Sequence, residues 1–182
     1  MQTTESLGNN VEEPIEIKGE SNEEPIEVEE ETSVTVVKSS AEKKKFLLLN
    51  PPGDLTYHRD YFCTLVSKSK YYYHPIDLVY LSGRLDKDYD VHLLDGMAER
   101  IGSEDALARI KELNPDYIFF LLAAPSYTND KKFMEKVKEV VPNAEFIGSG
   151  DIYREFREKA MDDHNFLDVI CLDFSTEDLL TY

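Results

Sequence analysis

The residues of this chain that could do chemistry fall into short clusters: Asn50-Pro51-Pro52-Gly53, Asp95-Gly96, Ala124-Pro125-Ser126-Tyr127 and Gly148-Ser149-Gly150, with His58 and His74 between the first two. A phosphate cradle needs a row of backbone N–H groups. Pro51 and Pro52 have none to offer, which argues against a dinucleotide fingerprint, a P-loop and an FMN-type loop together. A phospho-acceptor receiver would need an acidic residue where Leu122 and Ala123 stand. What remains is small and neutral. Ala123, Ala124 and Ser126, with Gly148, Ser149 and Gly150, would let a bulky planar or elongated ligand approach the backbone. A plainer reading stands beside it: Ser126 and Thr128 cap a helix, and Gly148 and Gly150 only turn the chain. A small-molecule enzyme working through His58, His74 or Asp95 is weaker, because His74 precedes Pro75 at a helix start and Asp95-Gly96 is an ordinary strand-end turn. Cys63 and Cys171 fit no metal spacing and read as reduced thiols of a cytoplasmic protein.

The elements that must position these clusters alternate strand and helix from Lys45 onward. Phe46-Leu47-Leu48-Leu49 is apolar without alternation, as in a strand covered on both faces. A long loop from Asn50 to about His74 follows. Next come a helix over 76–85, ending near Gly83 with Ile76, Val79, Tyr80 and Leu85 as its apolar residues, and a strand over 89–94. Ser103 N-caps a helix that stops at Asn114-Pro115. The run Tyr117–Leu122, the most hydrophobic in the chain, makes a central strand. A helix over 129–141, a short strand over 144–147, a charged helix over 152–161, a strand over 167–172 and a helix starting at Ser175 complete the series. These units predict an α/β fold: a doubly wound, five-stranded parallel sheet of flavodoxin-like or Rossmann-like order 2-1-3-4-5. Its switch point lies between strands one and three, so ligands are expected over their carboxyl ends.

Residues 1–44 form a separate expectation. Through Lys45 the chain holds 12 Glu against 5 Lys, with no aromatic residue; such a segment buries too little apolar surface to offset its ordering entropy and reads as a disordered acidic tail. It contains an imperfect duplication, Glu12-Glu13-Pro14-Ile15-Glu16-Ile17 and Glu23-Glu24-Pro25-Ile26-Glu27-Val28, read as solvating sequence with a repeated docking motif as the alternative. Ser33–Val37 is a candidate edge strand. The domain proper is expected at 45–182. With 20 basic and 37 acidic side chains, the net charge of −17 argues against nucleic acid or an anionic membrane surface as partner. No apolar run reaches the roughly 20 residues that span a bilayer, and the start lacks the pattern of a secretory signal.

Six segments in order carry a resemblance: Leu47–Gly53, Tyr73–Ser82, Val91–Gly96, Leu113–Ile118, Ala124–Asp130 and Phe146–Gly150. Together they resemble the N-terminal cobalamin-binding domain of cobalamin-dependent radical S-adenosylmethionine enzymes, over about residues 45–182. The stretch 168–179 departs from the family, with Asp-Phe-Ser-Thr-Glu where Gly-Glu-Gly-Glu is usual. The resemblance implies a corrin held over the strand ends by Asn50, Pro51, Pro52, Gly53, Asp95, Gly96, Pro125, Tyr127 and Ser149, with the nucleotide tail in a groove lined by Ala124, Ser126, Gly148 and Gly150. The D-x-H-x-x-G motif that supplies an axial histidine elsewhere is missing, since in Asp54-Leu55-Thr56-Tyr57-His58 the His comes two places late; His58 is read as a solvated loop histidine. There is no C-x3-C-x2-C run, so no 4Fe-4S cluster can be built from Cys63 and Cys171. S-adenosylmethionine and the cluster are expected in a downstream domain, with this chain as the amino-terminal piece of the enzyme. The alternative is a cobalamin-free interaction or scaffold domain of the same fold.

Overall fold

A computed structural model describes residues 42–182. The acidic tail with its duplicated motif and the candidate strand at 33–37 lie outside the described residues.

The apolar run after Lys45 forms β1 (Lys45–Asn50), and its neighbours explain why it does not alternate. Leu47 and Leu49 enter one core with Leu94, Ile118 and Phe120, while Phe46 and Leu48 enter a second core with Leu78, Leu81 and Phe119. Each face of the strand is therefore dry. Burial of a side chain of this size stabilises by about 1.5–3 kcal/mol, so the run holds the sheet from its middle. The other strands are β2 (Tyr57–Asp60), β3 (Cys63–Val66), β4 (Asp90–Asp95), β5 (Tyr117–Leu121), β6 (Glu145–Ser149) and β7 (Val169–Ile170). The five-stranded sheet has the order β4-β1-β5-β6-β7, and its pairs are parallel. The doubly wound, flavodoxin-like order expected from the sequence is the order observed.

The helices are α1 (Ile76–Leu85), α2 (Ser103–Leu113), α3 (Tyr127–Val140), α4 (Asp151–Asp163) and α5 (Asp178–Thr181). Helices α2, α3 and α4 cover one face through Ala106, Ile110, Phe133, Met134, Val137, Tyr153 and Ala160. The other face is covered by α1 and α5 through Leu78, Leu81, Leu85 and Leu179. No helix among the described residues is long and apolar enough to cross a membrane.

Several local expectations need correction. The long loop after β1 is not featureless: β2 and β3 pair as an antiparallel hairpin inside it, a second small sheet. Helix α1 buries Asp77, Leu78, Leu81 and Leu85, leaving Ile76, Val79 and Tyr80 exposed, and runs two residues past Gly83. Gly102, not Ser103, is the N-cap of α2, without a side-chain cap; Glu104 and Asp105 in its first turn suit the helix dipole instead. The last strand is only two residues long, although Asp168 N–H to Phe146 O (3.0 Å) and Cys171 N–H to Gly148 O (2.9 Å) extend its attachment. Ser175 does not start a helix; its N–H and hydroxyl both donate to Asp173 Oδ1 in a turn.

Candidate functional site

The carboxyl ends of β1, β4 and β5 carry a connected set of buried polar side chains. Asn50, fully buried at the end of β1, donates through Nδ2 to Asp95 Oδ1 (2.9 Å) and Tyr72 Oη (3.0 Å). Asp95 ends β4. Its Oδ1 accepts the N–H groups of Met97 and Ala98, both at 3.1 Å, and its Oδ2 accepts the Tyr72 hydroxyl and lies 3.3 Å from His74 Nδ1. Burial and the Asp95 carboxylate push the Tyr72 phenol well above its usual range. Gly96 is required here, because a Cβ would stand 2.6 Å from Pro52 N where the two loops cross.

Arg59 extends this set across the switch point. It lies on β2, 1% exposed, and the hairpin inserts it between the ends of β1 and β5. Its Nη1 donates to Asn50 Oδ1 and Pro51 O, each at 2.9 Å. Nε donates to Ser126 Oγ (3.0 Å) and Asp130 Oδ2 (2.9 Å), and Nη2 to Asp130 Oδ1 (2.8 Å). The pair is bidentate, with neither side chain exposed. The Ser126 hydroxyl donates to Asp130 Oδ2. Burial pushes the Asp130 carboxyl up from the ordinary range, against the opposing pull of the Arg59 guanidinium and the Ser126 hydroxyl. The Tyr57 ring lies under the guanidinium, 5.0 Å from its centre, and Thr64 Oγ1 donates to Asp151 Oδ2 (2.8 Å), fastening the hairpin to the start of α4.

These contacts decide which expected site residues come together. Asn50, Pro51 and Asp95 join the network; Pro52, Gly53 and Gly96 form the crossing loops beside it. The groove expected among Ala124, Ser126, Gly148 and Gly150 is not assembled. Ser126 holds the N-cap position of α3 but makes no side-chain cap; its buried hydroxyl is taken by Arg59 and Asp130 instead. Ala124 and Pro125 face solvent in a 3₁₀ turn, with the Ala124 N–H on Asp151 Oδ1 (2.9 Å). Tyr127 turns away, its hydroxyl 3.0 Å from His164 Nε2. Ser149 is buried with its Oγ unpaired. Gly150, at φ +131°, lies so close to β5 that a Cβ would stand 2.0 Å from Leu122 O. Gly148 belongs to β6 rather than to a turn, and a Cβ there would meet the Tyr153 ring at 2.6 Å and Leu167 Cδ1 at 2.8 Å. Gly148→Ala is accordingly expected to overpack the core and cost about 1–3 kcal/mol, seen as a lower urea midpoint. A loss under about 0.5 kcal/mol would mean that Tyr153 moves aside freely.

His58 is also corrected. It is 3% exposed, not solvated. Its Nε2 lies 3.0 Å from Tyr71 O, its ring stacks on Tyr73 (centroids 4.3 Å apart), and its Nδ1 has no partner. Of the two thiols, Cys63 is half-buried on the hairpin and Cys171 is buried in the sheet, where burial raises its pKa to about 11.

Whether these residues fit the cofactor expected from the resemblance can be judged from the space they leave. The crevice for a nucleotide tail does not fit: Arg59 fills it between β1 and β5, and Tyr153 closes against Gly148. Over the ends of β1 and β4 the surface is open. There a cavity of about 600 Å³ is lined by Gly53, Thr56, Val66, Tyr72, Gly96 and Met97 among others, with glycine backbone available to the edge of a planar group. Arg59 and its hairpin are what sequence reasoning missed; Asp130, Arg59's partner, stands 71 residues away.

Comparison with known families gives a match over residues 63–179 to the B12 binding domain. No curated protein matches the chain.

Proposed function

As a member of the B12 binding domain family, to which the chain belongs by that match, the protein is, we propose, a cobalamin-binding module of a radical S-adenosylmethionine enzyme. The observation that carries the binding reading is the family match on a sheet whose cavity opens at the carboxyl ends of β1 and β4. Gly53, Thr56, Gly96 and Met97 would border the corrin. Tyr72, Asn50 and Asp95 would hold that border in place through their hydrogen bonds. Cobalamin supplies a cobalt able to carry a methyl group or exchange electrons. The chain's own residues bind and orient; the radical step belongs to a cluster domain elsewhere in the enzyme, and that assignment rests on the six ordered segments. Sequencing the coding region that follows tests it, a C-x3-C-x2-C run being the expected result and its absence the result that removes the radical assignment.

Titration of the chain with hydroxocobalamin tests the binding. Saturable uptake of about one equivalent, with a shifted visible spectrum and colour retained through desalting, is expected; no retention at about 100 μM would overturn it. The second reading is a cobalamin-free interaction domain. It is favoured by an exposed apolar surface in which Phe62 (77% exposed) and Tyr80 both lie against Phe174, with Ile76 and Val79 beside Tyr80 on α1; surfaces of this kind mark contacts. Failure of cobalamin uptake would leave this reading standing.

A further inference from the structure

Resting on the cobalamin reading, we propose that Arg59 sets which corrinoids the site accepts. By filling the switch-point crevice it takes the place of a nucleotide tail, so that the chain recognises the corrin ring alone and does not discriminate cobalamin from tail-less cobinamide.

Three independent closures support this. Arg59 makes its hydrogen bonds inside the crevice with both members of the Arg59–Asp130 pair fully buried. Tyr153 and Leu167 occupy the space beside Gly148, and Leu122 O closes on Gly150. No movement of one side chain would clear all three. The hairpin is itself fastened at several points besides Arg59: Thr64 to Asp151, the Tyr61 N–H to Asp77 Oδ2 (2.8 Å) and Asn129 Nδ2 of α3 to the Tyr57 hydroxyl (3.2 Å). Lifting it would strand Asp130 in the interior without its counter-charge. The open cavity over β1 and β4 is a separate space, bounded by Gly53, Gly96 and Met97. A ring system can border it while its tail stays in water, where it contributes no binding energy.

The experiment compares dissociation constants of the unaltered chain for cyanocobalamin and for cobinamide in its cyano form, by visible titration in one buffer. Constants that agree within about fivefold are expected. Cobalamin bound more than about fivefold tighter would overturn the proposal, since it would mean that the hairpin lifts and the tail enters. Uptake of neither corrinoid would overturn the cobalamin reading itself, a distinct failure. A further check is cleavage of the hairpin by a protease, followed with and without cyanocobalamin. Cleavage between residues 61 and 70 that is unchanged or slowed is expected, because Val66, Ser67, Lys68 and Lys70 line the cavity the corrin would border, and cleavage accelerated by cobalamin would show the hairpin displaced.

Discussion

Asp130→Ala is expected to lower the unfolding free energy by about 3–5 kcal/mol, the cost of leaving a buried charge without its partner. The Arg59 guanidinium cannot discharge itself by losing a proton, and it would keep only Asn50 Oδ1, Pro51 O and Ser126 Oγ as acceptors. The variant must expose Arg59 or tolerate the bare charge. The urea midpoint should fall with the slope unchanged, and a fall equivalent to less than about 1 kcal/mol would show that Arg59 is not confined to the crevice. Arg59→Met should behave differently, because a carboxyl can take up a proton. Burial already pushes the Asp130 carboxyl up, and Arg59 opposes that rise. Without Arg59 its folded pKa rises further above its unfolded value. The protonated state then carries stability that is present at low pH and lost as pH rises, so Arg59→Met should lie nearer wild type at pH 5 than at pH 8. Arg59→Met/Asp130→Leu should recover part of the loss, since apolar replacements of buried pairs are often tolerated. Recovery stays incomplete because Asn50 Oδ1 and Pro51 O lose a donor. Strict additivity of the two single losses would argue that the residues do not act as a pair.

That pair also marks where sequence reasoning stops. Strand β1 was legible because Phe46–Leu49 is apolar at every position, and only burial on both faces suits such a run. The strand order followed from the alternation of strands and helices. Tyr57-His58-Arg59-Asp60 carried no comparable signal. Each of the four is buried, yet three are polar, and polar residues are buried only where partners satisfy them. Those partners are Asp130, Tyr71 and the N–H groups of Phe62 and Cys63, and the most distant of them becomes a neighbour only once the sheet has formed. Helix α1 failed for another reason. It is apolar around much of its circumference, so Ile76, Val79 and Tyr80 make as good a stripe as Leu78, Leu81 and Leu85. Docking, not periodicity, chose the second. Gly148 was legible as glycine but not as core, because its role depends on a Tyr153 ring arriving from the next helix.

Wild-type stability is expected to fall by up to about 4 kcal/mol between pH 4 and pH 7 through one residue, Asp77. Asp77 sits in the first turn of α1, fully buried beneath the hairpin. Its Oδ2 accepts the Tyr61 N–H at 2.8 Å, while its Oδ1 has no partner. Burial first, and then the neighbouring Asp60 charge, push its carboxyl from 3.8 up to about 7. The sign follows directly. A folded pKa above the unfolded one means that the folded chain holds a proton the unfolded chain releases, so the contribution is complete below pH 3.8 and lost as pH rises through about 7. Asp77→Asn removes the titration. Its Oδ1 can still accept from Tyr61, and its NH2 leaves two N–H donors to be satisfied in place of a charge, a penalty of about 1–3 kcal/mol that does not change with pH. The variant should therefore match or fall below wild type near pH 4.5 and exceed it near pH 8, with a urea midpoint that falls less across the window than that of wild type, since the raised Asp130 carboxyl still titrates. A wild type whose midpoint already stays flat between pH 4 and 7, or an Asn variant that keeps the full wild-type slope, would mean that water reaches Asp77 and the seam between α1 and the hairpin is open. The expected slope would instead show that the hairpin carrying Arg59 is anchored on a dry interface at the Tyr61 end as well as at the switch point. A hairpin shut at both ends is what the exclusion of a nucleotide tail requires.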